Sequence, residues 1–285
     1  MLGLVTLAAG YLLAGGFSIF VLAIALGITA AGTWGSYYKS DRIALAAARA
    51  VPANPVTYRR LHNLVEGLCI AAGLPKPELY VVHDPSPNAF ATGRDPNHSA
   101  IAVTTGLLER MNRVELEAVL AHELAHIRSY DIRTQTIAVT AVGAISLISE
   151  LVLRVAMFGG FGGRNNNDDR GGNNPLAIVF LLLGVLFLAF APLIAQLLHF
   201  SLSRTREFAA DAGAVSLTRY PPALISALSK LSHDQSVVSS SPRVMASMWI
   251  ECPLRREDDS RSVKLNRMFD THPPIQARIT ALKEM

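Results

Sequence analysis

Residues 121–131 read AHELAHIRSYD, two histidines four positions apart with an acid beside the first. On a helix, side chains at i and i+4 leave by one face, so His122 and His126 present both imidazoles to one point. That is the spacing with which two ring nitrogens grip a tetrahedral zinc ion. Glu123 is rotated away from that point, placed to take a proton from a water at such an ion without binding the ion itself. Two solvated histidines on a surface helix would explain the spacing too, but would leave Glu123 without a use.

A hydrolytic zinc site needs a third protein ligand and one position left for water. The downstream candidates are Glu150, His199, Glu207, His233, Glu251 and His272. The stretch SRTREFAADAGA (203–214) is the preferred source. Glu207 and Asp211 are again four apart on one helical face, among small alanines that allow close packing. Glu207 suits the third ligand. Asp211, one turn on, suits acceptance of the free ring N–H of a ligating histidine, which fixes its tautomer.

Helices must carry these groups, and their surroundings are apolar. Of 285 residues 51% are hydrophobic and only 17% charged, too apolar for an ordinary soluble domain of this length. The net charge of +4 comes with no nucleic-acid-binding motif, so basic residues gathered on one side of a membrane are the better account. Two cysteines, Cys69 and Cys252, are too few and too far apart for a disulfide framework or a metal knuckle.

Residues 1–38 carry no Lys, Arg, Asp or Glu and read as a transmembrane hairpin turning near Gly15-Gly16. Residues 136–158 and 175–198 read as two further spans, joined by a short Gly- and Asn-rich loop at 159–174. The remaining segments, 39–135 and 199–285, are mixed in character and form the two parts of one catalytic domain. Within them, Asn54-Pro55 reads as a helix start, with that helix closed by Gly73. ELYVVHD (78–84) and SAIAVTT (99–105) read as strands, with NAFATG (88–93) an exposed edge strand between them. Asn112 and Glu115 form a capping-box pattern at the start of the histidine helix. Lys39, Arg42, Arg49, Arg59, Arg60, Arg128, Arg133, Arg204 and Arg206 flank the spans on the domain side, so the positive-inside rule puts that domain in the cytosol.

Three stretches in this order, AHELAH, SRTREFAADAGA and THPPIQARI (271–279), flanked by apolar spans, resemble the HtpX-type membrane zinc endopeptidases, relatives of the type I CaaX prenyl protease. The resemblance covers nearly the whole chain, PNAFATG included. It implies an α-helical membrane protein with a mixed α+β, gluzincin-like cytosolic domain of a small β-sheet and active-site helices. It implies one Zn²⁺ held by His122, His126 and Glu207, with Glu123 as general base and acid and Asp211 behind the ligands. His272 and Arg278 would face the site, to stabilise an oxyanion or orient the scissile carbonyl. Asn88, Ala89, Phe90, Ala91 and Thr92 would pair with an extended substrate. Residues 235–266 match no motif and read as an insertion, a cover over the cleft.

The expected activity is hydrolysis of peptide bonds in misfolded membrane proteins and unfolded polypeptides at the cytosolic face of the bacterial inner membrane, as part of the stress response. The partners are those substrates and the lipid bilayer, and no nucleic acid. Processing of one dedicated CaaX-like substrate and a non-catalytic zinc-stabilised scaffold are the alternatives. If both ligand helices run on unbroken into the spans, the metal stands about 12–15 Å from the bilayer, at 1.5 Å per residue.

Overall fold

The computed structural model describes residues 38–137, 204–234, 248–250 and 273–285. In chain order these form α1 (Ser40–Ala47), β1 (Val51–Pro52), α2 (Arg59–Ala72), β2 (Glu78–Val82), β3 (Ala89–Asp95), β4 (His98–Thr104), α3 (Thr105–Arg110), α4 (Arg113–Arg128), α5 (Arg204–Thr218), α6 (Pro221–His233) and α7 (Ile275–Lys283). The expected spans at 1–38, 136–158 and 175–198 lie almost wholly outside the described residues. Among the described residues no helix is long and apolar enough to cross a membrane.

The four strands form one mixed sheet in the order β1-β2-β4-β3. β2 runs parallel to β4, while β1 and β3 pair antiparallel with their neighbours. NAFATG thus begins the edge strand β3, but Ala89–Gly93 are buried rather than exposed, because other segments pack over that edge. Strand side chains alternate between faces, and the sheet uses both. Val81, Ala89, Ala91, Ile101 and Val103 join the main core with α2, α4, α6 and α7. Val82, Phe90, Ala100 and Ala102 face the other way, against Ala44, Leu45 and Ala48 of α1 and against Met248 and Trp249. Trp249 is fully buried and meets Phe90 edge to face, with ring centroids 4.7 Å apart.

Local signals explain some of the helix ends. Asn112 accepts from the Glu115 N–H while Glu115 accepts from the Asn112 N–H, the reciprocal capping box that starts α4. Gly73 closes α2 at φ 66°, a left-handed conformation that glycine adopts without cost. Asn54 departs from expectation. Its Oδ1 accepts from the N–H groups of Val56 and Thr57 in a turn, and α2 begins only at Arg59. The side chain satisfies a local turn before any helix forms.

α4 is buried along nearly its whole length, from Glu115 to Ile127. It packs most extensively against α5. The closest approach is at Gly213, where a Cβ would stand 2.9 Å from that of Ala125. α4 ends at Arg128, and Tyr130 adopts φ 60° before a new helical stretch covers 131–137. This break corrects the expectation of a helix running unbroken from His126 toward the membrane. A left-handed residue reverses the local path, so the estimate from rise per residue fails on this side. The corresponding link before Arg204 lies outside the described residues.

Candidate metal centre

α4 and α5 bring His122, His126 and Glu207 together, with one ligand-type atom of each within 4.8 Å of the others. The two Nε2 atoms are 3.2 Å apart. Glu207 Oε2 is 3.8 Å from His122 Nε2, and its Oε1 is 3.5 Å from His126 Nε2. All three side chains are buried, as is Glu123 beside them. This cluster is the one metal-ligating constellation among the described residues, and a cation is what would resolve the close facing of its lone pairs.

The opposite ring nitrogens are engaged. His122 Nδ1 is 3.0 Å from Asp211 Oδ1. His126 Nδ1 is 3.2 Å from Asp131 Oδ2. With Nδ1–H donating to a carboxylate in each case, both Nε2 lone pairs point inward. Electrostatics separates the two rings. Burial and then the Arg278 cation push His122 down to about 4, so that ring is neutral. Burial also opposes charge on His126, but its bond to Asp131 and the nearby Glu207 and Glu123 outweigh this and raise it.

Arg278 is fully buried. Its Nε donates to Asp211 Oδ2 at 2.8 Å and its Nη2 to Oδ1 at 2.6 Å, a two-pronged grip. Its Nη1 is 3.6 Å from Glu207 Oε2 and 3.4 Å from the Ile250 carbonyl. Burial resists charge on Asp211, yet these bonds hold it at about 2. The guanidinium expected to face the site does so, bonded to Asp211 behind His122 and close to the Glu207 carboxylate. His272 lies outside the described residues.

Of the expected substrate strand, Ala89–Thr92 fall in β3 and Asn88 immediately precedes it. Its free side is partly taken. The Ala89 carbonyl accepts from Ile250 N–H at 2.9 Å, and Gly93 N–H donates to Thr136 Oγ1 at 3.1 Å. Thr92 Oγ1 also meets Thr136 Oγ1, at 3.0 Å, and Asn88 Oδ1 accepts from Ala89 N–H. Outward groups alternate along an antiparallel edge, so Ala91, between Ala89 and Gly93, turns its backbone to the same side. Phe90 is buried in the core with Trp249 rather than presented to the cleft.

The sequence gives Asp131 no expected role and Arg206 only that of a charge flanking a span, yet Arg206 Nη1 donates to Asp131 Oδ1 at 3.1 Å. Asp131 lies five residues past His126, about 140° around an unbroken helix and so off its face. Only the left-handed Tyr130 returns it to the ring. Ile250 and Trp249 lie within the expected insertion at 235–266, and no pattern in that stretch signals a partner for β3.

Several known proteins are similar to this chain. A protein named Protease HtpX homolog from Caldanaerobacter subterraneus is 42% identical over 252 residues, covering 88% of this chain and 80% of that one. Proteins of the same name from Lactobacillus helveticus and Tropheryma whipplei are 47% and 41% identical over 79% and 98% of this chain, and over 73% and 89% of their own lengths. The crystal structure of S. mikatae Ste24p is a more distant likeness, 19% identical, with a TM-score of 0.44 over 91% of this chain and 64% of that one. The model of peptidase family M48 matches residues 55–285. With that match and those identities, the chain belongs to peptidase family M48.

Proposed function

We propose that this metalloprotease hydrolyses peptide bonds of misfolded or damaged membrane proteins, using one Zn²⁺ held by His122 Nε2, His126 Nε2 and a Glu207 oxygen. The observation that carries the reading is the spacing of those atoms. A tetrahedral zinc with bonds of about 2.0–2.1 Å sets its ligand atoms roughly 3.3–3.4 Å apart; here the two Nε2 atoms are 3.2 Å apart, and the Glu207 carboxylate meets His126 Nε2 with Oε1 at 3.5 Å and His122 Nε2 with Oε2 at 3.8 Å. Two imidazoles with one carboxylate is a donor set suited to zinc, and it leaves one position for water.

When bound, zinc supplies Lewis acidity, polarising the scissile carbonyl and acidifying water. Glu123, buried beside His122, takes the proton from the attacking water and delivers it to the leaving nitrogen. Asp211 holds the His122 ring with Nε2 inward, and Arg278 acts through Asp211 and Glu207 as a positioning residue. His272 is the remaining candidate for stabilising the oxyanion. An extended substrate adds to the β3 edge at Ala91, so recognition is directed at backbone and tolerant of sequence. The distribution of basic residues supports a site on the cytosolic face, where loops and tails of membrane proteins emerge.

The test is Glu123→Gln in the full chain purified in detergent. Zinc stays stoichiometric while cleavage of casein falls by about 10²-fold or more, as expected for loss of a general base. Cleavage at the unaltered rate would overturn the mechanism.

A further inference from the structure

The two ligand histidines are supported alike, though the supports come from different places in the chain. His122 is backed by Asp211, and Asp211 by Arg278. His126 is backed by Asp131, and Asp131 by Arg206. We propose that Asp131 and Arg206 are a positioning pair for His126, with Asp131 orienting the ring for the metal and Arg206 orienting Asp131. The proposal rests on the ligand set given above.

Three observations carry it. First, Asp131 divides its oxygens, Oδ2 at 3.2 Å from His126 Nδ1 and Oδ1 at 3.1 Å from Arg206 Nη1. A carboxylate held at one oxygen cannot swing freely at the other, so the arginine sets the angle at which the ring is met. Second, Asp131 is buried, at 5% exposure, whereas about a third of the Arg206 side chain is exposed. An ordinary surface ion pair contributes little, but here one partner is a buried group bonded to a ligand. Third, Arg206 immediately precedes Glu207 on α5, while Asp131 follows the end of α4 across the Tyr130 turn. The bond therefore ties the segment after α4 to the first turn of α5, beside the third ligand. Asp211, carried by α5, ties the helices a second time at His122. With both ties in place, neither helix can slide along the other without moving a histidine off the ligand point.

The pair is tested by zinc affinity, measured by chelator competition on the full chain in detergent. Asp131→Asn keeps the shape but weakens the acceptor, and zinc affinity falls about 10–100-fold, as for other partners behind metal-bound histidines. Arg206→Gln causes a smaller loss, about three- to tenfold, because it acts only through Asp131. In the Asp131→Asn background, Arg206→Gln changes nothing further. Lys230→Gln breaks a comparable ion pair, with Glu115 on the far part of α4, and leaves zinc affinity unchanged.

Arg206 is exposed enough for its variant to fold, so its result stands even where Asp131→Asn does not. If Arg206→Gln alone leaves zinc affinity unaltered or tightens it, the arginine does not orient Asp131 and the pair is overturned. Wild-type affinity in Asp131→Asn also overturns it, while leaving the ligand set intact. An unaltered chain that takes up no stoichiometric zinc overturns the ligand set, and the pair with it.

Discussion

Asp211 and Arg278 form a doubly hydrogen-bonded ion pair that is almost wholly out of water. Removing one member leaves the other charged and buried, so Asp211→Asn lowers stability by about 3 kcal/mol at neutral pH. The same substitution changes the response to acid. Asp211 titrates at about 2 in the fold, below its ordinary value of 3.8. A depressed carboxylate contributes stability that is fully present above its unfolded pKa and is lost as pH falls toward the folded one. The contribution therefore disappears between about pH 4 and pH 2. Melting curves across that window should be steeper in pH for the unaltered protein than for Asp211→Asn. Equal slopes would mean that the Arg278 bonds do not persist in solution.

Two features of the helices decide whether the ligands meet. At Gly213 the backbone of α5 comes so close to α4 that an added methyl would stand 2.9 Å from Ala125 Cβ. Gly213→Ala must push the helices apart next to His126 and Asp211. Zinc affinity drops about tenfold, since the ring and carboxylate atoms no longer share one centre. Ala125→Gly in the same chain removes the opposing methyl and restores affinity, even though glycine within a helix costs about 1 kcal/mol. Failure of that rescue would show that the contact does not set the helix separation. The second feature is the turn after α4. Tyr130 is about half exposed and holds φ 60°, which disfavours a side chain. Tyr130→Gly keeps the turn and raises stability by about 0.5–1 kcal/mol, the relief of strain exceeding the added chain entropy. Tyr130→Val, branched at Cβ, lowers both melting temperature and zinc affinity because Asp131 loses its place. A Val variant indistinguishable from the Gly variant in thermal melts would contradict this.

Over the whole molecule, the candidate metal site joins segments that are distant in the chain. His122 and Glu207 are separated by two expected spans and their loop, so bound zinc stabilises the folded arrangement by mass action. At free zinc about a thousand times Kd this contributes about 4 kcal/mol. For a domain of this size, stripping the metal should lower the melting temperature by about 10 °C. Chelator titration followed by thermal melting in detergent checks it, and re-addition of zinc should reverse the shift. An unchanged transition would mean that the two halves are held together without the ion.

Much of the site was legible in the linear chain because its signals are local. The i, i+4 spacing of His122 with His126, and of Glu207 with Asp211, sets which side chains share a helical face, whatever that face meets. The capping box at Asn112 and Glu115 and the β-branched runs of β2 and β4 likewise depend on neighbours a few residues away. By itself the sequence determined the family, the candidate ligand residues and the helices that carry them. Tertiary structure alone decided how the ligands are held. Asp131 reaches His126 only through a left-handed residue that breaks the helix. Arg278 grips Asp211 because the fold places a buried carboxylate within its reach. Ile250 occupies the Ala89 carbonyl through a contact spanning some 160 residues, for which no periodicity exists. Spacing along a helix is set by backbone geometry common to all chains, whereas these contacts depend on where separate segments come to rest.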